Sequence, residues 1–260
     1  MNRGSEYKIL FLITFHESKE CLQDMIANIK KFNSKYPVGI IVSNGTDIDI
    51  SDIETKDIFV IKRGIETARN FPTLVPIHIE MWDYVVDNDI MCEYVMLLAS
   101  NQLFINHNVY DLIKDFDSSY YDRGRNEDLS FWKGSSVFSE YCTKIGEENI
   151  KYQSNHDGMF FKTNIFDDMM NYFCEYRGLC EPNHQEEFLY ASYVSKFHCP
   201  KLLSFSEYNY FSADICGKNL YFSHLDIEKV NCAKEKNMFL VKRIDRNIND
   251  ETRVYIRNLS

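Results

Sequence analysis

The first 110 residues alternate short apolar runs with stretches whose apolar residues recur at helical spacing, and this alternation restricts the fold more than any other feature of the chain. Residues 8–14, KILFLIT, form a run of Ile, Leu and Phe with polar flanks, the pattern of a strand buried on both faces of a parallel sheet. Cys21, Leu22, Met25, Ile26, Ile29 and Phe32 follow at helical spacing, with Ser18 placed as N-cap. Pro37 ends that segment and residues 38–43 make a second strand, so the crossover between them is expected to be right-handed. Asn44-Gly45 marks a turn. Residues 58–62 and 94–99 are further strands, separated by a helix over 76–86 with Pro76 in its first turn. The spacing predicts an α/β domain with a doubly wound, mostly parallel central sheet flanked by helices. Ligands of such sheets bind beyond the carboxyl ends of the strands, where residues 14–17, 43–46 and 99–102 stand.

The second half is less regular. Residues 116–154 are polar and aromatic with little periodicity, so loops and a few antiparallel strands are expected. The stretch 155–163, NHDGMFFKT, reads as a strand leading to Thr163 as a cap. Ile165, Phe166, Met169, Met170 and Phe173 then form a helix with Asp167 and Asp168 near its positive end. Another helix begins near His184 and carries Phe188, Leu189, Ser192 and Phe197 on its buried side. Residues 202–210 and 238–241 are strand-like, and 250–259 form a closing helix. No repeat or linker divides the chain, so one domain over 1–260 is expected.

Charge and cysteine content remove several classes of function. A net charge of -10 argues against nucleic acid as a partner, because dense Lys and Arg must replace phosphate counterions. The charge is uneven: residues 238–260 hold five Lys/Arg against three acids, a small basic site suited to one anionic ligand. Eight scattered cysteines in a chain this long read as reduced thiols filling apolar gaps. No apolar run approaches the roughly 20 residues of a spanning helix, and MNRGSEY lacks the features of a secretory signal. The expected location is the cytoplasm, free or peripheral to a membrane.

Neither G-x-G-x-x-G nor G-x-x-x-x-G-K-[ST] occurs, and no G-x-S-x-G elbow is present, which removes dinucleotide-binding, P-loop and Ser-His-Asp hydrolase readings. Cys174, Cys180, His184, His198 and Cys199 are near one another but lack zinc spacing. The fourth strand empties into Ser100-Asn101-Gln102, where no acid stands to hold a divalent cation. Lys242, Arg243 and Arg246, directly after an apolar strand, are either solvated surface charge or the group that neutralises an anionic ligand in place of a metal. In NHQEEFLYAS (183–192), Asn183 and Glu186 have capping-box spacing. Glu187, about 100° further round, is either a first-turn acid complementing the helix dipole or a general base facing the cleft.

Taken together, TFHE (14–17), SNQ (100–102), HDGMFF (156–161), EEFLYAS (186–192) and VKRIDR (241–246) resemble the core-2/I-branching type of glycosyltransferase, a metal-independent GT-A-fold family, with its bacterial and viral relatives. The resemblance implies a nucleotide-binding half over 1–110 and an acceptor and catalytic half over 111–260. It also implies an inverting transfer from a nucleotide-diphosphate donor, a UDP-sugar, to a hydroxyl of a carbohydrate or glycolipid acceptor. The family's catalytic Glu falls on Glu187, and its diphosphate-binding cations fall on Lys242 and Arg243, with Arg246 beside them. No metal or other cofactor is implied. His16, Asn44 and Asn101 stand at strand ends suited to the nucleotide. His156, Asp157 and Trp132 are candidates for the acceptor, although a turn around Gly158 accounts equally for the first two. The signal-anchor helix and disulfide framework of the eukaryotic enzymes are not evident in these residues, so neither is expected. Two other classes stay open: a non-catalytic carbohydrate- or nucleotide-binding module derived from such an enzyme, and a nucleotidyltransferase, which would ordinarily need acidic metal ligands.

Overall fold

The structure, a computed structural model, describes residues 6–62, 74–119, 136–151, 157–176, 186–198, 202–203, 209–210 and 225–259. Strand β1 (Tyr7–Phe15) leads into helix α1 (Lys19–Phe32), β2 (Val38–Asn44) and β3 (Ile58–Lys62), followed by α2 (Val75–Asp87) and β4 (Cys92–Ala99). These four strands are parallel neighbours in the order β3-β2-β1-β4. Side chains alternate across them. Ile9, Phe11 and Ile13 meet Tyr94, Met96 and Leu98 in the core under α1, while Leu10 and Leu12 meet Val95 and Leu97 in the core under α2. Burial on both faces is why β1 and β4 read as nearly unbroken apolar runs. Gly39 is required by the packing of β2 on β1, since a Cβ there would stand 2.8 Å from Leu10 Cδ1. At the head of α1 the hydroxyl of Ser18 accepts from the Cys21 amide at 3.2 Å, as its position as N-cap predicts.

The remaining elements are β5 (Gln102–Phe104), α3 (Val109–Ile113), β6 (Ser118–Ser119), α4 (Ser136–Ile145), β7 (Phe160–Lys162), α5 (Thr163–Tyr172), α6 (Glu186–Phe197), β8 (Leu202–Leu203), β9 (Asn209–Tyr210), α7 (Ile227–Glu235), β10 (Leu240–Lys242) and α8 (Glu251–Asn258). β7 joins β4 antiparallel and is followed by β6 and β8, giving a seven-stranded sheet in the order β3-β2-β1-β4-β7-β6-β8. β5, β10 and β9 make a second, three-stranded sheet. The architecture is therefore α/β with a mostly parallel central sheet flanked by helices. The pairing becomes mixed beyond β4, as is common at one side of a doubly wound sheet.

Several expectations are corrected. Residues 116–154 contain α4, which buries Val137, Phe138, Tyr141 and Ile145. Thr163 is the first residue of α5 and not its cap; its hydroxyl donates to the Cys92 carbonyl at 2.8 Å. Asp167 lies beyond the first turn of that helix and accepts from Trp82 Nε1 at 2.8 Å. Residues 202–210 divide into β8 and β9, which belong to different sheets. Phe197, expected on the buried side of α6, is 47% exposed at its last residue. α7 has no counterpart in the sequence reading. Among the described residues no helix is long and apolar enough to cross a membrane.

Candidate functional site at the carboxyl edge of the sheet

Three turns that are remote in the chain meet beyond the carboxyl ends of β1 and β4. Residues 16–18 join β1 to α1, residues 100–101 join β4 to β5, and residues 243–248 follow β10. The last turn is docked on the other two. Its Ile244 amide donates to the Asn101 carbonyl at 3.3 Å, and its Arg246 carbonyl accepts from Cys21 Sγ at 3.0 Å. Antiparallel pairing of β10 with β5 sets Lys242 opposite Gln102.

The side chains in these turns close a ring. Arg246 Nε donates to Glu17 Oε1 at 3.0 Å, and Ser100 Oγ donates to the same oxygen at 3.0 Å. Arg246 Nη2 is 3.0 Å from His16 Nε2, and His16 Nδ1 is 3.5 Å from Ser100 Oγ. Arginine has no acceptor, so His16 Nε2 accepts and the ring proton lies on Nδ1, facing Ser100. Glu17 is buried although it follows directly on the strand, whereas His16 is exposed. Glu17 lies within TFHE, and its one local signal in the sequence is an acid between a central strand and the N-cap of the next helix.

Lys242 pairs with a second buried carboxylate, Asp157. Asp157 reaches that place because Gly158, with φ +85°, turns the chain back along β4: the Gly158 amide donates to the Leu97 carbonyl at 2.7 Å and the Leu97 amide to the Met159 carbonyl at 2.9 Å. Glycine at this residue meets the need for a positive φ. Arg243 also has positive φ, +73°, which is uncommon for a residue with a side chain. Its carbonyl accepts from the Leu225 amide at 3.1 Å.

Arg253 of α8, which is fully buried, holds the same turn from behind. Its Nε and Nη2 both donate to the Asp245 carbonyl, at 3.1 and 3.0 Å, and its Nη1 donates to Asp24 Oδ2 at 2.9 Å. Arg257 Nε donates to the other Asp24 oxygen at 2.7 Å. Arg253 and Arg257 therefore tie α8 to α1, whereas Lys242, Arg243 and Arg246 lie at the end of β10 and in the turn that follows it.

Other candidates fare differently. Asn44 stands at the end of β2, but its side chain closes its own loop: Oδ1 accepts from the Thr46 amide and hydroxyl at 3.0 and 2.9 Å, and Nδ2 donates to the Ile48 carbonyl at 2.9 Å. Asn101 contributes its backbone carbonyl to the docking of the basic turn. Trp132, His156 and Asn183 lie outside the described residues, as does the side chain of Glu187, whose backbone is in the first described turn of α6. Glu186 is buried, and its Oε2 accepts from the Leu74 amide at 3.3 Å, at the N-terminus of α2. α2 packs on β1 and β2 and links β3 to the parallel β4, so its N-terminus lies at the carboxyl edge, and this bond brings the start of α6 to that edge. One turn along α6, the Tyr190 hydroxyl lies 2.8 Å from His78 Nδ1. Burial, and then the charge of Glu186, hold the Tyr190 phenol well above its usual pKa. Among the described residues, no three His, Cys, Asp or Glu side chains are grouped as metal ligands.

No family model matches the chain, and no curated protein matches it in sequence. Among solved structures it is similar to the crystal structure of an active-site mutant of LgtC, a glycosyltransferase, with a TM-score of 0.52 and 11% identity over 96% of this chain and 94% of that one. LgtC is a retaining enzyme. At this identity the likeness shows the fold alone: the chain has a glycosyltransferase-like architecture.

Proposed function

We propose that the protein is a metal-independent, inverting glycosyltransferase that moves a sugar from a UDP-sugar to a hydroxyl of a carbohydrate or glycolipid acceptor. One observation carries the reading: at the edge where such sheets bind ligands, two cationic side chains, Lys242 and Arg246, each rest on a buried carboxylate, while the end of β4 presents Ser100-Asn101-Gln102 and no acid pair. Cations held in place before the ligand arrives suit a diphosphate whose charge grows as it departs. Lys242, Arg243 and Arg246 bind that group. Glu187 removes the acceptor proton as the hydroxyl attacks the anomeric carbon from the face opposite the leaving UDP, a single displacement that inverts configuration. The inverting course rests on the EEFLYAS resemblance and on no feature of the shared fold. His16 and Asn101 border the nucleotide.

The test is release of UDP from UDP-glucose, UDP-galactose and their N-acetylhexosamine counterparts in EDTA, with and without a panel of glycan and glycolipid acceptors. The reading predicts acceptor-dependent release with one of these donors. Tight UDP binding without any release would instead favour the non-catalytic binding module, and no binding of UDP or any of the donors would remove both readings.

A further inference from the structure

We infer that Glu17 is a positioning residue, which fixes the Arg246 guanidinium in the orientation that receives the donor diphosphate. The inference rests on the glycosyltransferase reading and adds to it a residue that does not itself touch the ligand.

The ion pair is lopsided: the Glu17 side chain is 1% exposed and that of Arg246 57%. Taking a carboxylate out of water is costly, and an apolar residue of similar size often serves stability as well or better. An exposed arginine partner returns little of that cost through screened attraction. The bond therefore contributes little net stability. What it supplies is orientation. Glu17 Oε1 holds Nε, His16 Nε2 holds Nη2 and Cys21 Sγ holds the Arg246 carbonyl, so the side chain is fixed at both ends. Ser100 fixes Glu17 in turn, through a hydroxyl that joins the ring at the end of β4. Nε is engaged by Glu17 and one Nη2 proton by His16, which leaves the Nη1 protons and the second Nη2 proton, the edge that pairs in bidentate fashion with phosphate oxygens. An arginine held this way gives up less conformational entropy when its ligand arrives.

Calorimetric titration with UDP and with uridine, in EDTA, tests the inference on wild type, Glu17→Gln, Arg246→Ala and the double variant. Glu17→Gln should weaken UDP binding about tenfold, the lower end of the range for a charge-assisted hydrogen bond, and leave uridine affinity unchanged. Arg246→Ala should lose at least as much, and the double variant should bind UDP no more weakly than Arg246→Ala, because Glu17 acts only through that arginine. Wild-type affinity for UDP in Glu17→Gln, equal losses for UDP and uridine, or full additivity in the double variant each overturn the inference. If Glu17→Gln does not fold, Ser100→Ala breaks the ring without changing a charge; it should weaken UDP selectively, and unchanged UDP affinity there overturns the inference. A wild-type protein that binds neither UDP nor uridine contradicts the glycosyltransferase reading itself, a result distinct from any of these.

Discussion

Lys242 and Asp157 are 85 residues apart in sequence and form an ion pair in which the carboxylate is 2% exposed and the ammonium side chain 21%. Removing the lysine takes its ion-pair partner from a buried carboxylate. Lys242→Ala should therefore cost about 3–5 kcal/mol of stability, the range for breaking a buried pair from one side. Lys242→Ala/Asp157→Asn should recover most of it, as read by urea denaturation. Both variants should also bind UDP more weakly by about 1.5–3 kcal/mol with uridine unaffected, the range for hydrogen bonds to charged groups. Equal losses for the two ligands would move Lys242 out of the phosphate site.

Divalent cations should be dispensable. Ser100, Asn101 and Gln102 stand at the end of β4, and the proposal gives the charge-neutralising role there to Lys242, Arg243 and Arg246. Saturating UDP should raise the melting temperature equally in EDTA and in manganese. A shift that requires manganese would contradict the assignment of the diphosphate to Lys242, Arg243 and Arg246.

Glu186 and Glu187 should separate cleanly. Glu186 is buried and accepts from the Leu74 amide. Glu186→Gln retains an acceptor and should stay active, while Glu186→Ala should lose about 1.5–3 kcal/mol of stability, the range for a hydrogen bond to a charged group. Glu187→Gln should fold, bind UDP normally and turn over about 10²–10⁴-fold more slowly, the usual contribution of a general base. Loss of turnover in Glu186→Gln, with Glu187→Gln active, would transfer the role.

The two arginines on Asp24 should behave differently. Arg253 is fully buried and Arg257 43% exposed in its side chain. Arg253→Ala should cost about 3–5 kcal/mol, and Arg257→Ala at most about 1 kcal/mol. Equal losses in urea denaturation would show that α8 is not held through Arg253.

Thiol chemistry offers a further check on packing. Burial pushes the Cys92 thiol up to about 11, so at pH 8 almost none of it is thiolate. Mass spectrometry after brief alkylation of the native protein should find Cys174, which is exposed, modified well before Cys92. Early modification of Cys92 would mean that β4 is open at its start.

The sequence carried β1, β2, β3, β4, α1 and α2 because each strand shows as an apolar run and each helix is long enough to show its period. Short elements carried less. β5 has three residues and β6 and β8 two each, too few for alternation to register. α4 did have a readable face in Val137, Phe138, Tyr141 and Ile145, set among polar and aromatic residues that masked it. α7 buries only Val230 and Ala233 of its nine residues. At the site, the basic residues were visible as a composition anomaly, but their partners were not. Glu17 and Arg246 are 229 residues apart, and no local pattern records which acid will face which base. The same limit applies to Arg253, which reads as surface charge until α8 is docked on α1.

The most direct measurement is the rate of UDP release from the preferred UDP-sugar and acceptor, in EDTA, for wild type beside Glu187→Gln, with UDP affinity measured on the same preparations. The account predicts turnover by the wild type without metal and a rate at least about a hundredfold lower for Glu187→Gln at unchanged UDP affinity. Failure of the wild type to release UDP from any donor, or equal rates in the two proteins, would contradict it.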